Sequence, residues 1–140
     1  MNPSRIHAGP RRELQSILSR LVHSGGTGVN AAALITSDGM ALEFTHAADV
    51  DVDRFAAMSA SLLALAERQI EEAERGHLNQ LLIEGTEGAV LLIRAGADYV
   101  LTVSTEPGAL LGKIFVETRR VATTLRQLMN AEAVPSEHMA

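Results

Sequence analysis

The sequence of 140 residues contains no cysteine and no tryptophan, and aromatic residues make up only 3% of it. The absence of cysteine excludes disulfides, thiolate chemistry and cysteine-bound zinc, and it fits a reducing compartment. No segment approaches the roughly 18 uninterrupted apolar residues of a membrane span, and residues 1–10 lack the apolar core of a signal peptide. We therefore expect a cytoplasmic protein with no membrane insertion.

Basic residues are also scarce in this chain. It carries 12 Lys and Arg against 17 Asp and Glu, which gives a formal net charge of -5. Nucleic acids select proteins with a basic patch, and no cluster of basic residues interleaved with aromatic ones occurs in the sequence. Nucleic acid is therefore not a predicted partner. Hydrophobic residues reach 46%, which suffices for one domain with an aliphatic core.

The sequence contains no motif that indicates catalysis or phosphate binding. The glycine-rich segment 25–28 lacks the Gly-Lys-Ser/Thr ending of a phosphate loop, and it follows a predicted helix instead of a strand. We interpret it as a connecting loop. No Gly-x-Ser-x-Gly turn of a serine hydrolase occurs either. We predict no catalytic residue, no cofactor and no enzymatic activity.

Two groups of residues have side chains that can bind metal ions, but neither has the spacing of a metal site. Asp49, Asp51 and Asp53 alternate as in a calcium loop, but Arg54 stands where that loop requires glycine. Capping of a helix by Asp49 or Asp51 accounts for the acidic run better. No metal site is predicted for the histidines, which are scattered without the i, i+4 spacing of a metal-binding pair: His7, His23, His46, His77 and His138.

Apolar periodicity and turn residues predict three helices and five strands. The first helix runs from about Arg11 until residues 24–26 end it, and Asp38-Gly39 predicts a type I′ turn between strands 29–36 and 40–45. A long helix over 51–75 is expected to end at Gly76. Strands 78–84, 89–94 and 99–105 follow, and a last helix ends near Asn130. We expect one domain over 11–130, with a flexible lead at 1–10 and a flexible tail at 131–140.

The long helix 51–75 has more apolar surface than a sheet-facing helix needs. The strands carry apolar residues on both alternations, so helices must cover both faces of the sheet. On the long helix, Met58, Leu62 and Leu65 widen the apolar arc to roughly 180°, where about 100° suffices. Loops or the curvature of the sheet are one cover for this second sector. A second copy of the chain, packed across a twofold axis, is the other.

The order of these elements resembles the dynein light-chain roadblock family, and more closely its bacterial branch of MglB-like regulators of Ras-type GTPases. The resemblance covers about 11–129. It rests on the alanine-rich strand that ends in Thr36-Ser37-Asp38-Gly39-Met40, the Ala/Leu/Ser-rich helix around 58–65, the strand pair around 81–83 and 90–93, and the strand around 99–103. It implies a roadblock/profilin-like α+β fold. In that fold a five-stranded antiparallel sheet has the long helix on one face and two helices on the other.

The resemblance also implies a function in binding partners. Similar proteins form dimers through the long helix and the following strand, and the dimer surface binds a small GTPase; relatives are often encoded beside a histidine kinase. Arg54 and Arg68 are candidate GTPase contacts, although solvated surface charge is the more ordinary role for such residues. The alternative function is a purely structural dimeric scaffold of a signalling or motility complex, without dependence on nucleotide state. The candidate interface residues are Met58, Ser61, Leu62, Leu65, Gln69, Leu78, Gln80 and Leu82.

Overall fold

The computed structural model describes residues 8–23, 27–46 and 50–139. The predictions for residues 1–7, 24–26 and Asp49 lie outside this part of the chain. The elements follow the predicted order of helix, two strands, helix, three strands and helix. They are α1 (Ala8–His23), β1 (Val29–Thr36), β2 (Ala41–His46), α2 (Val52–Glu72), β3 (Leu81–Gly85), β4 (Gly88–Arg94), β5 (Tyr99–Thr105) and α3 (Leu111–Met139).

The five strands form one antiparallel sheet in the order β2-β1-β5-β4-β3. One face packs against α1 and α3 through a large aliphatic cluster that includes Leu14, Leu34 and Leu125. The other face packs against α2 through a smaller cluster that includes Ile35 and Leu63. The predicted fold, with the long helix alone on one face, is confirmed. This arrangement leaves β2 and β3 as the edges of the sheet.

The turn between β1 and β2 differs from the predicted type I′ turn. A type I′ turn needs positive φ at both central residues, whereas Gly39 is the one residue of this turn with positive φ, at 96°. The Gly39 N–H donates to the Thr36 carbonyl at 2.9 Å, and the Thr36 N–H donates to the Met40 carbonyl at 2.8 Å. The prediction was wrong because three residues, 37–39, lie between the hydrogen-bonded Thr36 and Met40, where a type I′ turn has two. The last of the three, Gly39, takes the left-handed conformation.

Both ends of α2 are fixed by local hydrogen bonds. The predicted capping by Asp51 is confirmed, because its side chain accepts a hydrogen bond from the Arg54 N–H at 3.2 Å. The predicted stop at Gly76 is wrong by several residues. The helix ends at Glu72, and Glu74 takes the left-handed conformation with φ 54°. The Glu74 N–H donates to Glu71 and the Arg75 N–H donates to Ile70, which is the hydrogen-bond pattern of a Schellman motif.

Three other boundaries differ from the prediction by more than one residue. The first helix begins at Ala8 instead of Arg11. Pro10 fits because backbone N–H groups in the first turn have no partner within the helix. The third helix continues past Asn130 to Met139, beyond the last residue of its apolar stripe, so periodicity gives no signal there. β3 begins at Leu81 instead of residue 78, because Leu78 packs against the α2-side cluster while the chain crosses from α2 to the sheet.

Candidate protein-binding surface on helix 2

Small side chains hold α2 against the sheet. Its buried residues are Ala56, Ser59, Ala60 and Leu63, of which only Leu63 is large. The β1–β2 turn also approaches closely, since a Cβ atom added to Gly39 would lie 3.1 Å from the Cα of Ala57. The side of α2 that faces the sheet is therefore narrow. Most of the helix circumference faces away from the rest of the chain.

An apolar stripe runs along the outer side of α2. Met58, Leu62 and Leu65 are 56%, 39% and 62% exposed. We call the stripe formed by Met58, Ser61, Leu62, Leu65 and Gln69 the α2 stripe; Ser61 and Gln69 are exposed as well. Their spacing places all five on one side of the helix. The structure therefore confirms that the described chain leaves this second apolar sector uncovered.

The edge strand β3 carries further apolar surface on the α2 side of the sheet. Ile83, which is 39% exposed, pairs with Val90, and Val90 packs against the α2-side cluster. Because residues opposite each other in an antiparallel pair share a face, Ile83 also lies on the α2 side. The outer edge of β3 has no strand beside it within the sheet. Its outward backbone N–H and C=O groups are free to pair with another strand.

The three predicted interface residues around β3 lie in different environments. Leu78 is half-buried against the α2-side cluster, and Gln80 is half-buried with a side-chain oxygen that lacks a hydrogen-bond partner. Leu82 pairs with Leu91 and so lies on the α1/α3 side of the sheet. Ile83 was missed by the sequence analysis. Alternation along a strand shows that neighbouring side chains lie on opposite sides of the sheet, but it does not show which side each of them faces.

Charged residues surround the α2 stripe. Arg54 is exposed near the start of α2, with its guanidinium 3.8 Å from Asp51, and Arg68 is exposed in the second half of the helix. Glu67 is held by Arg94 of β4, whose Nε and Nη2 donate to its two carboxylate oxygens at 2.6 and 2.7 Å. These hydrogen bonds lower the pKa of Glu67 and raise the pKa of Arg94. The ion pair joins α2 to the sheet and leaves the stripe itself uncharged.

The described residues show no arrangement typical of a metal site or a membrane span. Within residues 8–23, 27–46 and 50–139, no group of three or more His, Asp or Glu side chains is placed to hold a metal ion. No helix in that part of the chain is long and apolar enough to cross a bilayer. His23 shows local bonding only, with its Nδ1 2.8 Å from the Ser19 carbonyl oxygen. The exposed apolar residues of the α2 stripe and the open edge of β3 form the candidate functional surface.

Comparison with known proteins identifies a family and a fold. The family model of the Roadblock/LC7 domain matches residues 18–105. Two uncharacterized proteins of Methanocaldococcus jannaschii are each 29% identical to this chain over 101 residues, which is 72% of this chain and 88% of theirs.

Solved structures show the same architecture at lower identity. A structure of MglB with a tetrameric arrangement matches with a TM-score of 0.83 and 20% identity, over 91% of this chain and 95% of that one. The gliding protein MglB of Thermus thermophilus matches with a TM-score of 0.79 and 19% identity, over 88% and 93%. Profilin II of Acanthamoeba castellanii also matches, with a TM-score of 0.58 and 17% identity over 81% and 96%. These similarities confirm the predicted roadblock/profilin-like fold.

Proposed function

Because this chain belongs to the Roadblock/LC7 domain family, we propose that it is a homodimeric, non-enzymatic regulator that binds a small Ras-like GTPase and modulates its nucleotide cycle. The resemblance of the chain to MglB-like regulators of Ras-type GTPases supports this proposal. It also supports a place in bacterial signalling or polarity, in the cytoplasm, beside a histidine-kinase system. The proposed role needs no catalytic side chain of the chain's own, because the regulator acts by contact.

The observation that carries the proposal is the α2 stripe beside the open edge of β3. Met58 and Leu65 are each more than half exposed, and full burial of such a side chain is worth about 2 kcal/mol. A second copy that pairs its β3 with this β3 would extend the sheet and bring a second α2 alongside the first. One self-complementary patch is enough for such a twofold dimer. Leu62, near the middle of the stripe, would lie close to the twofold axis.

The GTPase contacts are proposed on the surface formed by the paired helices. Arg54 and Arg68 flank the α2 stripe and are exposed, so both are available to an acidic partner. Arg54 has only a weak competing contact, since exposed ion pairs such as Arg54–Asp51 contribute little to stability. A partner that approaches the outer side of α2 meets apolar and basic groups together.

The experiment is capture of a purified Ras-like GTPase from the same genome, loaded with GDP or with a non-hydrolysable GTP analogue. We expect capture to differ at least tenfold between the two states. Leu65→Asp, which places a charge in the stripe, should abolish capture, because a desolvated charge without a partner is costly. Leu110→Asp is the matched control: Leu110 is 64% exposed against 62% for Leu65, and it directly precedes α3, which packs on the other face of the sheet.

Two outcomes would contradict the proposal. Equal capture of both nucleotide states would exclude regulation of the cycle and favour the structural scaffold. Equal loss of capture by Leu65→Asp and Leu110→Asp would show that the α2 stripe is not the surface involved. Circular dichroism of both variants establishes that each is folded before capture is compared.

A further inference from the structure

The fold gathers basic side chains on the face of the sheet opposite α2. Among the side chains that the structure describes in α1 and α3, only Glu13 and Glu117 are acidic. Residues 27–110, in contrast, carry 13 acidic residues and only four arginines. The two helices therefore carry more basic than acidic residues, although the chain as a whole is acidic. Seven of the 12 Lys and Arg residues lie in the two helices: Arg11, Arg12, Arg20, Lys113, Arg119, Arg120 and Arg126.

The basic residues of α3 point away from the sheet. Ile114, Thr118 and Leu125 are buried beneath the helix, so the residues on the opposite side of its circumference face outward. That outer side carries Lys113 and Arg120, with Val116 between them at 56% exposure. Arg120 has a contact with Glu117 at 3.5 Å, but this pair is exposed and therefore weak.

Helix α1 extends the same basic surface. α1 and α3 pack against each other over one face of the sheet. Arg12 and Arg20 are exposed, whereas Leu14 and Leu18 are buried on the inner side of the helix. Residues 24–110 separate α1 from α3 in the sequence, so the surface exists only in the folded chain. We call Arg12, Arg20, Lys113, Val116 and Arg120 the basic face.

We infer that the basic face docks on a negatively charged lipid surface. Each Lys or Arg held at such a surface is worth about 1 kcal/mol, or about a fivefold gain in partitioning. The four charges of the basic face are spread over two neighbouring helices, which suits many headgroups better than one compact ligand. Val116 adds an apolar side chain among the charges, and apolar contact strengthens interfacial binding.

The chain has a net charge of -5, so the orientation of the docked molecule and the salt dependence of docking must be considered. A membrane in contact with the basic face lies closer to these four basic side chains than to the acidic residues of α2, so the attraction outweighs the repulsion. The exposed acidic residues of α2, Asp53, Glu71 and Glu72, favour this orientation, because turning the molecule over would bring them towards the negatively charged lipid. Docking should therefore be oriented, superficial and sensitive to salt.

Docking in this orientation leaves the proposed partner surface open. The α2 stripe lies on the other side of the sheet and so faces away from the lipid. The inference does not depend on the proposed function. If two copies pair through β3, their basic faces lie on the same side of the continuous sheet, and the number of contacting charges doubles.

Vesicle sedimentation tests the inference directly. The full chain is mixed with phosphatidylcholine vesicles, with or without about one third phosphatidylglycerol. We expect binding only to the anionic vesicles at low salt, and release as salt is raised. The double variant Lys113→Glu/Arg120→Glu should lower the partition coefficient at least tenfold. The matched control is Arg68→Glu/Arg75→Glu, which changes the net charge equally at two exposed arginines outside α1 and α3.

Three results would overturn the inference. The first is no sedimentation with anionic vesicles at low salt. The second is equal weakening by the two double variants, because net charge and not the basic face would then control binding. The third is binding to duplex DNA that is lost in Lys113→Glu/Arg120→Glu while vesicles are ignored, which would assign the basic face to nucleic acid. Circular dichroism and thermal unfolding show that both variants fold.

Discussion

Arg94 links α2 to two turns through one guanidinium group. Besides its two hydrogen bonds to Glu67, its Nη1 donates to the Ser37 hydroxyl at 2.9 Å and to the Ala97 carbonyl at 3.1 Å. Both side chains of the Arg94–Glu67 pair are about one third exposed, so solvent screens the pair. The paired geometry makes this the strongest ion pair among those seen in the described residues. Its contribution to the free energy of unfolding is about 1 kcal/mol.

The stability that this pair provides should depend on pH. The hydrogen bonds from Arg94 lower the pKa of Glu67 below the 4.5 of an unperturbed glutamate. Because the folded state binds this proton less readily than the unfolded state, the contribution is complete above pH 4.5. It is lost as the pH falls through the lower pKa of the folded state.

We predict that Arg94→Met lowers the free energy of unfolding by about 1–2 kcal/mol at pH 7, since it also leaves the Ser37 and Ala97 contacts unmade. The loss should shrink at the lowest pH at which the wild-type chain still unfolds in one transition. Urea unfolding at both pH values measures this difference. Arg75→Met is the control because the Arg75 side chain is exposed just after the end of α2, and the substitution should have little effect. A loss for Arg94→Met that is the same at both pH values would exclude the ion pair as its cause.

The β3–β4 hairpin depends on Gly88. This residue has φ 133°, and a Cβ atom added to it would lie 2.2 Å from the carbonyl oxygen of Thr105. The close approach arises where the first residue of β4 meets the last residue of β5. The Ala89 N–H also donates to the Thr105 hydroxyl at 3.1 Å, so the contact cannot open without loss of this bond. The hairpin that presents the open edge of β3 is thereby tied to the centre of the sheet.

We predict that Gly88→Ala destabilises the chain by about 3 kcal/mol or more, from backbone strain together with the clash. Gly108→Ala is a reference for a positive φ without a clash. Gly108 also has a positive φ, 76°, but no atom lies within 4 Å of its added Cβ. That substitution should cost only about 1 kcal/mol. Thermal unfolding of both variants measures the difference, and equal losses would show that the hairpin moves to relieve the clash.

Elements with strong local boundaries were predictable from the sequence, and boundaries set by distant contacts were not. β1 and β5 have the predicted bounds because turn residues enclose their apolar runs. The end of α2 was misplaced because Glu74, a residue that rarely takes positive φ, ends the helix ahead of the glycine. The start of β3 depends on where Leu78 packs, and the sequence does not encode that contact locally.

For the candidate site too, the exposed residues of one helix were predictable from the sequence, whereas contacts between different elements were not. The helical spacing of Met58, Leu62 and Leu65 was enough to predict an apolar sector beyond the needs of the sheet, because exposure on a helix follows its period. The position of Ile83 requires the register of β3 against β4. The Arg94–Glu67 pair joins residues from different elements. The basic face requires knowing that α1 and α3 are neighbours.

The whole molecule presents two unlike surfaces on opposite sides of one sheet. The α2 side exposes apolar side chains beside an open strand edge, whereas the α1/α3 side exposes basic ones. Exposed apolar surface of this kind is typical of interaction sites. If a second copy covers the α2 stripe, stability must depend on protein concentration, because association adds to the free energy of folding.

We predict that light scattering of the wild-type chain gives twice the chain mass of 14.9 kDa. Its melting temperature should rise by about 2 °C for each tenfold increase in concentration, since that increase stabilises a dimer by about 1.4 kcal/mol. Leu62→Asp should give a folded monomer or an aggregate, without the concentration dependence, because the charge would be buried unpaired at the twofold axis. Leu110→Asp should behave like the wild type, since Leu110 lies outside the α2 stripe. A wild-type chain that stays at 14.9 kDa, with the same melting temperature at every concentration, would contradict the proposal that a second copy covers the α2 stripe.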